Sequence, residues 1–170
     1  MGELSWGEWM SIGIAFTAVV LAFVSITIQK THNKKSVVPL GEVVPTDYPD
    51  HIAVKIWNNG TGPLVCQKLR ISHKNGGQKD HLIDWMPKGI MWNTFIRKPG
   101  FAIIPGHSVT LIELSTDHLE TDTEFVKNRD RAREVLKELT VHLEYKDIYN
   151  KQMPEINRRL DWFDDEQKWT

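Results

Sequence analysis

Cysteine is almost missing from this sequence of 170 residues, and Cys66 alone can neither close an intramolecular disulfide nor furnish a cysteine-rich zinc site. An excess of charge is missing too: 21 Lys and Arg stand against 22 Asp and Glu, for a net charge of -1. No general field therefore draws the chain onto a polyanion, and nucleic acid is excluded as an expected partner. A phosphate-cradling loop is lacking, because Gly60-Thr61-Gly62 is only a fragment of one, is followed by Pro63 and leads toward a strand instead of a helix. The serine elbow of hydrolases is lacking as well, since Gly106-His107-Ser108-Val109-Thr110 does not end in glycine. Of the 7 histidines, His81 lies beside Asp80 and near Asp84, and His118 beside Asp117 and near Glu120, and neither group has a recognised ligand spacing. No catalytic set, metal or cofactor is assigned. Basic residues are absent before Lys30, which removes the charged start that a secretory signal peptide needs.

What the sequence does have is one long apolar run. Residues 10–28 read MSIGIAFTAVVLAFVSITI without a charge, and at 1.5 Å per residue such a run crosses a hydrocarbon core about 30 Å thick. A membrane-spanning helix is expected over 10–29, after a short outer tail (1–9) and before a basic juxtamembrane linker (30–37). Lys30, Lys34 and Lys35 all follow the run. Basic residues at the end of a span stay on the cytoplasmic side, which puts the amino terminus outside and the rest of the chain in the cytoplasm, at the inner (plasma) membrane. Trp6 and Trp9 then sit in the outer headgroup layer, and with the three lysines they anchor the span. On this topology Asn59-Gly60-Thr61 never meets the glycosylation machinery and reads as a turn. Ser11, Ala15, Ala18, Ala22 and Ser25 recur at helical spacing on one face, and a small-residue face lets a second span approach closely. Homo-oligomerisation through the span is expected from that stripe.

After the lysines the pattern changes to alternation with a period of two, which marks half-buried strands. Ile52, Val54 and Ile56 alternate with Ala53, Lys55 and Trp57; Leu139, Val141, Leu143 and Tyr145 alternate with Thr140, His142, Glu144 and Lys146. Residues 64–71 and 109–114 match less well. Clusters of Gly, Asn and Pro at 58–63, 74–77 and 105–107 supply the turns between them. One helix interrupts the strands, expected over about 123–137, with Thr121 through Glu124 as a capping box and Phe125, Ala132, Val135 and Leu136 as its apolar face. The opposite face, Lys127, Arg129, Asp130, Arg131, Arg133 and Glu134, reads as a solvated surface. The fold class expected is mainly β: an antiparallel β-sandwich over 38–163 with one inserted helix, preceded by the transmembrane helix and followed by an acidic and aromatic tail (164–170).

The order of a short amino-terminal span, His32-Asn33, Pro39 and then Asn58-Asn59-Gly60-Thr61-Gly62-Pro63 resembles a group of small membrane-anchored bacterial proteins of unknown function that carry an immunoglobulin-like β-sandwich. Ile104-Pro105-Gly106 leading into Val109-Thr110-Leu111, and Tyr145-Lys146-Asp147-Ile148-Tyr149-Asn150, are similar to that group's strand entry and closing hairpin. Leu64 departs from it where a small residue is usual, and Asn150 where glycine is usual. The resemblance implies a fold and an anchor, and no activity.

For function, Trp85, Met86, Met91 and Trp92 stand out, because Trp and Met are enriched where proteins bind proteins, although the same residues also fill cores. Cys66 sits in a predicted strand as a small hydrophobe. Residues 161–169, with Trp162 and Trp169, offer a terminal docking motif or a frayed end. The function expected is a noncatalytic, single-pass membrane protein whose β-sandwich binds a protein or small ligand near the membrane. Two alternatives stay open: a regulated effector in which the domain controls clustered spans, and an enzyme whose site only folding assembles.

Overall fold

A capping arrangement starts the first helix. The backbone N–H of Ser5 donates to Glu8 Oε2 at 2.7 Å and its hydroxyl to the same oxygen at 2.9 Å, so one carboxylate satisfies donors at the positive end of the helix dipole. These hydrogen bonds hold the Glu8 carboxyl below the usual carboxylate range. The computed structural model describes residues 5–97, 100–116 and 123–164 and divides into two units, Met1–Val37 and Val38–Thr170. Helix α1 runs Trp6–Ser36, 31 residues, or about 46 Å. It therefore continues through the stretch read as a linker. Nothing there breaks a helix: Gln, Lys, Thr, His and Asn all tolerate it, and Pro39, which bars helical dihedrals at Val38, is the first breaker to come. Within α1 the hydroxyls of Ser11, Thr17 and Thr27 donate to the carbonyls of Gly7, Gly13 and Phe23, four residues back, at 2.9, 2.8 and 2.9 Å.

The second unit contains strands β1 (Gly41–Tyr48), β2 (His51–Asn58), β3 (Leu64–His73), β4 (Gln78–Lys79), β5 (Thr94–Phe95), β6 (Ala102–Ile103), β7 (Ser108–Ser115), β8 (Leu139–Lys146) and β9 (Ile156–Arg159), with helix α2 (Thr123–Leu136) between β7 and β8. They form two antiparallel sheets. One has the order β1-β2-β7-β5; the other has the order β4-β3-β8-β9, with β6 also paired to β3. Inward residues of both sheets, among them Ile52, Val54, Ile56, Leu64, Ile71, Ile112, Val141 and Leu143, join one apolar cluster.

Strand β8 has the alternation expected, with Leu139, Val141, Leu143 and Tyr145 buried and the residues between them turned outward. Strand β3 matched less well for a physical reason. Its register against β8 shifts between Cys66 and Lys68, so one extra residue, Gln67, reverses the parity: Leu64 and Cys66 are buried before it, Ile71 after it. In β1, Pro45 sits mid-strand. A residue without an N–H is tolerated at a sheet edge, which is where β1 lies.

The turn motifs have specific mechanical duties. Asn58 is buried, donates from Nδ2 to the carbonyls of Gly62 and Ile103 at 2.8 and 2.9 Å, and accepts at Oδ1 from the N–H groups of Leu40 and Gly60 at 3.2 and 3.1 Å. Its four hydrogen-bonding positions are thus all used. A Cβ at Gly60 would lie 2.3 Å from the Leu40 nitrogen and 2.3 Å from the Val38 oxygen, so only glycine fits this backbone crossing. Leu64, the large residue in place of a small one, is fully buried, and the room comes from Gly41, whose absent Cβ would meet Leu64 Cδ1 at 2.8 Å. Asn150 adopts φ 63°, the left-handed turn in place of glycine, while Asp147 Oδ1 accepts from the N–H groups of Tyr149 and Lys151 at 2.8 Å each.

Helix α2 ends one residue earlier than expected, and residues 117–122, including the start of the capping box and the Asp117, His118 and Glu120 group, lie outside the described residues. Its charged face is not simply solvated. Arg133 forks the buried Asp47 carboxylate, Nε to Oδ2 at 2.8 Å and Nη2 to Oδ1 at 2.6 Å. Arg129 donates to the Pro49 carbonyl at 2.8 Å and Arg131 to that of Lys88 at 3.2 Å. Arginine's planar fork matches a carboxylate in two places at once, so these residues clamp the helix onto the domain.

Candidate functional site

The apolar helix supplies the first functional feature. No described residue of α1 is buried, and Phe16, Leu21 and Phe23 are among its large exposed side chains. It is the one described helix long and apolar enough to cross a membrane, and it lies near the amino terminus. Ser11, Ala15, Ala18, Ala22 and Ser25 lie along it at helical spacing, Trp6 and Trp9 stand at its start, and Lys30, Lys34 and Lys35 occupy its last turns. A shallow depression lies on a neighbouring face, lined by Met10, Gly13, Ile14, Thr17, Ala18 and Leu21. It shares only Ala18 with the stripe read from sequence, and the pair Gly13 and Thr17, four apart, was its visible signal.

Trp85, Met86, Met91 and Trp92 do not all lie at the surface. Met91 is 90% exposed, Met86 is buried in the core, and Trp85 and Trp92 are half-buried against it. Trp85 lies in the 3-10 turn Leu82–Trp85, stacked on His73 with ring centroids 5.5 Å apart, and the Lys79 ammonium sits 4.3 Å from its ring centre. That is a packing role with cation–π support. At the carboxyl end, Phe163 is buried and Trp162 half-buried in the turn Asp161–Asp164, while Trp169 falls outside the described residues.

A cleft lies elsewhere, beside the β3 bulge. About 200 Å³ in volume, it is lined by Cys66, Gln67, Lys68, Leu69, Asp80, His81, Gly100 and Phe101. Three stretches of chain far apart in sequence build it, and the bulge opens it by turning Gln67 and Lys68 outward. Cys66 contributes to its floor, and burial pushes the thiol up to about 11, which makes it a protonated, inert group at neutral pH. His81 Nδ1 is buried without a hydrogen-bond partner among the described residues. Asp80 and His81 thus come to a cleft and not to a metal centre: among the described residues no group of three or more His, Cys, Asp or Glu side chains is placed to hold an ion. The broken alternation at 64–71 was the sequence's only trace of the cleft.

A hydrogen-bonded series also crosses the outer face of the second sheet, Ser72 Oγ to His142 Nε2 at 2.7 Å and His142 Nδ1 to Asn157 Oδ1 at 2.5 Å. It joins β3, β8 and β9 side by side, a cross-strand ladder that stabilises the sheet.

The arrangement defines a class at the level of architecture: an apolar amino-terminal helix followed by a domain of two antiparallel sheets with one inserted helix. Comparison of the chain with protein-family models, with curated proteins and with solved structures finds no match.

Proposed function

We propose that the chain is a noncatalytic, single-pass protein of the inner (plasma) membrane, whose second unit is an immunoglobulin-like β-sandwich that binds a protein or small ligand close to the bilayer. The observation that carries this reading is the surface of α1: an exposed helix with an uncharged apolar run over 10–28, in which the hydroxyls of Ser11, Thr17 and Thr27 are satisfied by the helix's own carbonyls. That is the form a segment takes when lipid is its solvent, because lipid offers no partner to a polar group. The lysines after residue 29 support an outer amino terminus and a cytoplasmic domain. Two antiparallel sheets feeding one core support the sandwich. The small-residue face of α1 supports self-association, and the cleft beside the β3 bulge is the binding feature of the domain. Confinement to a surface raises the effective concentration of even a weak binder.

Protease treatment of vesicles tests the sidedness: the domain is protected in right-side-out vesicles and digested in inside-out ones, and the reverse pattern overturns it. Capture by the detergent-solubilised full chain tests the binding role, with Gln67→Trp, a substitution at an exposed position that fills the cleft, as comparison. Material retained by the wild type and lost by this variant supports the reading; identical retention by both removes the cleft from it.

A further inference from the structure

One end of the β unit is both apolar and tethered. Val38, its first residue, accepts at its carbonyl from the N–H groups of Thr61 and Gly62 at 2.9 and 3.2 Å, and the Leu40 carbonyl accepts from that of Asn59 at 2.8 Å. Strand β3 starts from this turn with β6 and β8 on either side of it, Ile103 opposite Leu64 and Lys146 opposite Val65. Both neighbours run antiparallel to β3, so the segment after Ile103 and the hairpin after Lys146 emerge at the same end as Leu40. Four apolar side chains are exposed there, Leu40 and Ile104 by more than half and Ile148 and Tyr149 by nearly half. Lys146 and Lys151 bracket the hairpin, while its carboxylate, Asp147, is buried and taken up by the turn N–H groups. Glu42, at the start of β1, accepts from Asn59 Nδ2 at 2.7 Å. Residues 117–122 and 165–170 attach at the other end, where Ser115 pairs with His51 and Asp164 meets Lys137 ahead of β8; residues 98 and 99 precede β6, whereas Ile104 follows it.

The tether sets the distance. Val37 alone lies between Ser36, the last residue of α1, and Val38, so extended chain separates those two by about 7 Å at most. Residues 29–36 carry α1 about 12 Å past its uncharged run, and the headgroup layer is about 5 to 7 Å deep on each side of the hydrocarbon. The helix thus clears that layer by no more than the length of the link, and the link can return the end that carries Val38 to the headgroups with α1 intact. We propose that this end of the domain docks onto the bilayer that α1 crosses, with Leu40, Ile104, Ile148 and Tyr149 in the headgroup layer and Lys146 and Lys151 against lipid phosphates. The inference goes beyond binding at the cleft and rests on reading α1 as the span. Tyrosine suits that layer because its ring is apolar and its hydroxyl wet. A lysine keeps its ammonium at the phosphates while its stem lies along apolar surface, and near an anionic leaflet each one adds about fivefold to binding.

The test is electron paramagnetic resonance of the full chain in nanodiscs of phosphatidylcholine and phosphatidylserine, spin-labelled one site at a time at Ile104→Cys, Ile148→Cys, Asn75→Cys and Val20→Cys; Cys66 is buried and stays unlabelled. Asn75 lies in the turn after β3, at the end away from Val38. Collisions with oxygen, which concentrates in lipid, are compared with collisions with a water-soluble nickel chelate. Labels at 104 and 148 should meet oxygen and little nickel, the label at 75 should meet nickel freely, and the label at 20 should meet oxygen alone. Tyr149→Asp and Lys151→Glu, both at exposed positions, should each lower the docked-to-free ratio read at 104 by about fivefold or more, with the thermal midpoint unchanged. Labels at 104 and 148 that meet nickel as freely as the label at 75, while the label at 20 stays in lipid, overturn the docking and leave the span standing. Labels at 104 and 148 shut off from both probes mark a protein contact and overturn it as well. If the label at 20 also meets nickel, the span and the docking fail together.

Discussion

The two units handle polar groups in opposite ways. In α1 no described side chain is buried, the large apolar residues face outward, and the hydroxyls of Ser11, Thr17 and Thr27 turn back onto the helix's own carbonyls. In the β unit the apolar residues face inward and the buried polar groups are bonded across long stretches of sequence: Asn58 ties the turns near residues 40, 62 and 103 together, and Asp47 is held by Arg133, 86 positions away. The difference teaches which solvent each part expects. The hydroxyls that bond within α1 need no partner from their surroundings, whereas the buried polar groups of the domain rely on tertiary partners.

Removing a tertiary partner should have the largest effect. Asn58→Ala strips two donors and two acceptors from a buried turn and is expected to cost about 4 kcal/mol, given roughly 1 to 3 kcal/mol for each group left unsatisfied and partial recovery through water; chemical denaturation of the full chain in micelles measures it. Val20→Asp reverses the logic by placing in α1 a charge that the helix cannot satisfy. A carboxylate mid-span costs about 3 kcal/mol in insertion, so the insertion equilibrium constant should fall by roughly a hundredfold, with the fold of the β unit unchanged by circular dichroism. Arg133→Ala leaves Asp47 buried without its fork. The expected loss is about 2 kcal/mol, below that of a fully buried pair because the Arg133 side chain is 23% exposed; Arg133→Lys should recover only part of it.

The smallest effect concerns Cys66. Its pKa is raised from 9.0 to about 11 by burial. A thiol that ionises less readily when folded adds stability that is fully present below pH 9 and disappears as pH rises toward about 11, because the unfolded chain loses its proton first. Thiol reagents at pH 8 should therefore label Cys66 only as fast as the domain opens, and Cys66→Ala should flatten the alkaline fall in stability.

Against this contrast, the legibility of the sequence divides along physical lines. The apolar run and the alternation of β8 were plain, because each is a local pattern read against a single neighbouring phase. The bulge in β3 blurred its alternation, since one inserted residue exchanges the two faces. The reach of α1 to Ser36 was hidden because lysines at the end of a span suit a helix as well as a linker. Composition could not separate Met86 in the core from Met91 in the open, which only the path of the chain decides. The Arg133 clamp and the cleft were out of reach for the same reason: their members lie on segments far apart in sequence, and no spacing rule connects them.

Alkaline carbonate extraction of membranes carrying the full chain tests the central claim most directly, because high pH releases proteins held by charge or by partners and leaves those dissolved in the hydrocarbon core. The polypeptide should stay in the pellet at full length, with the residues before Lys30 still attached by mass spectrometry. Its release, intact, into the supernatant would contradict the account.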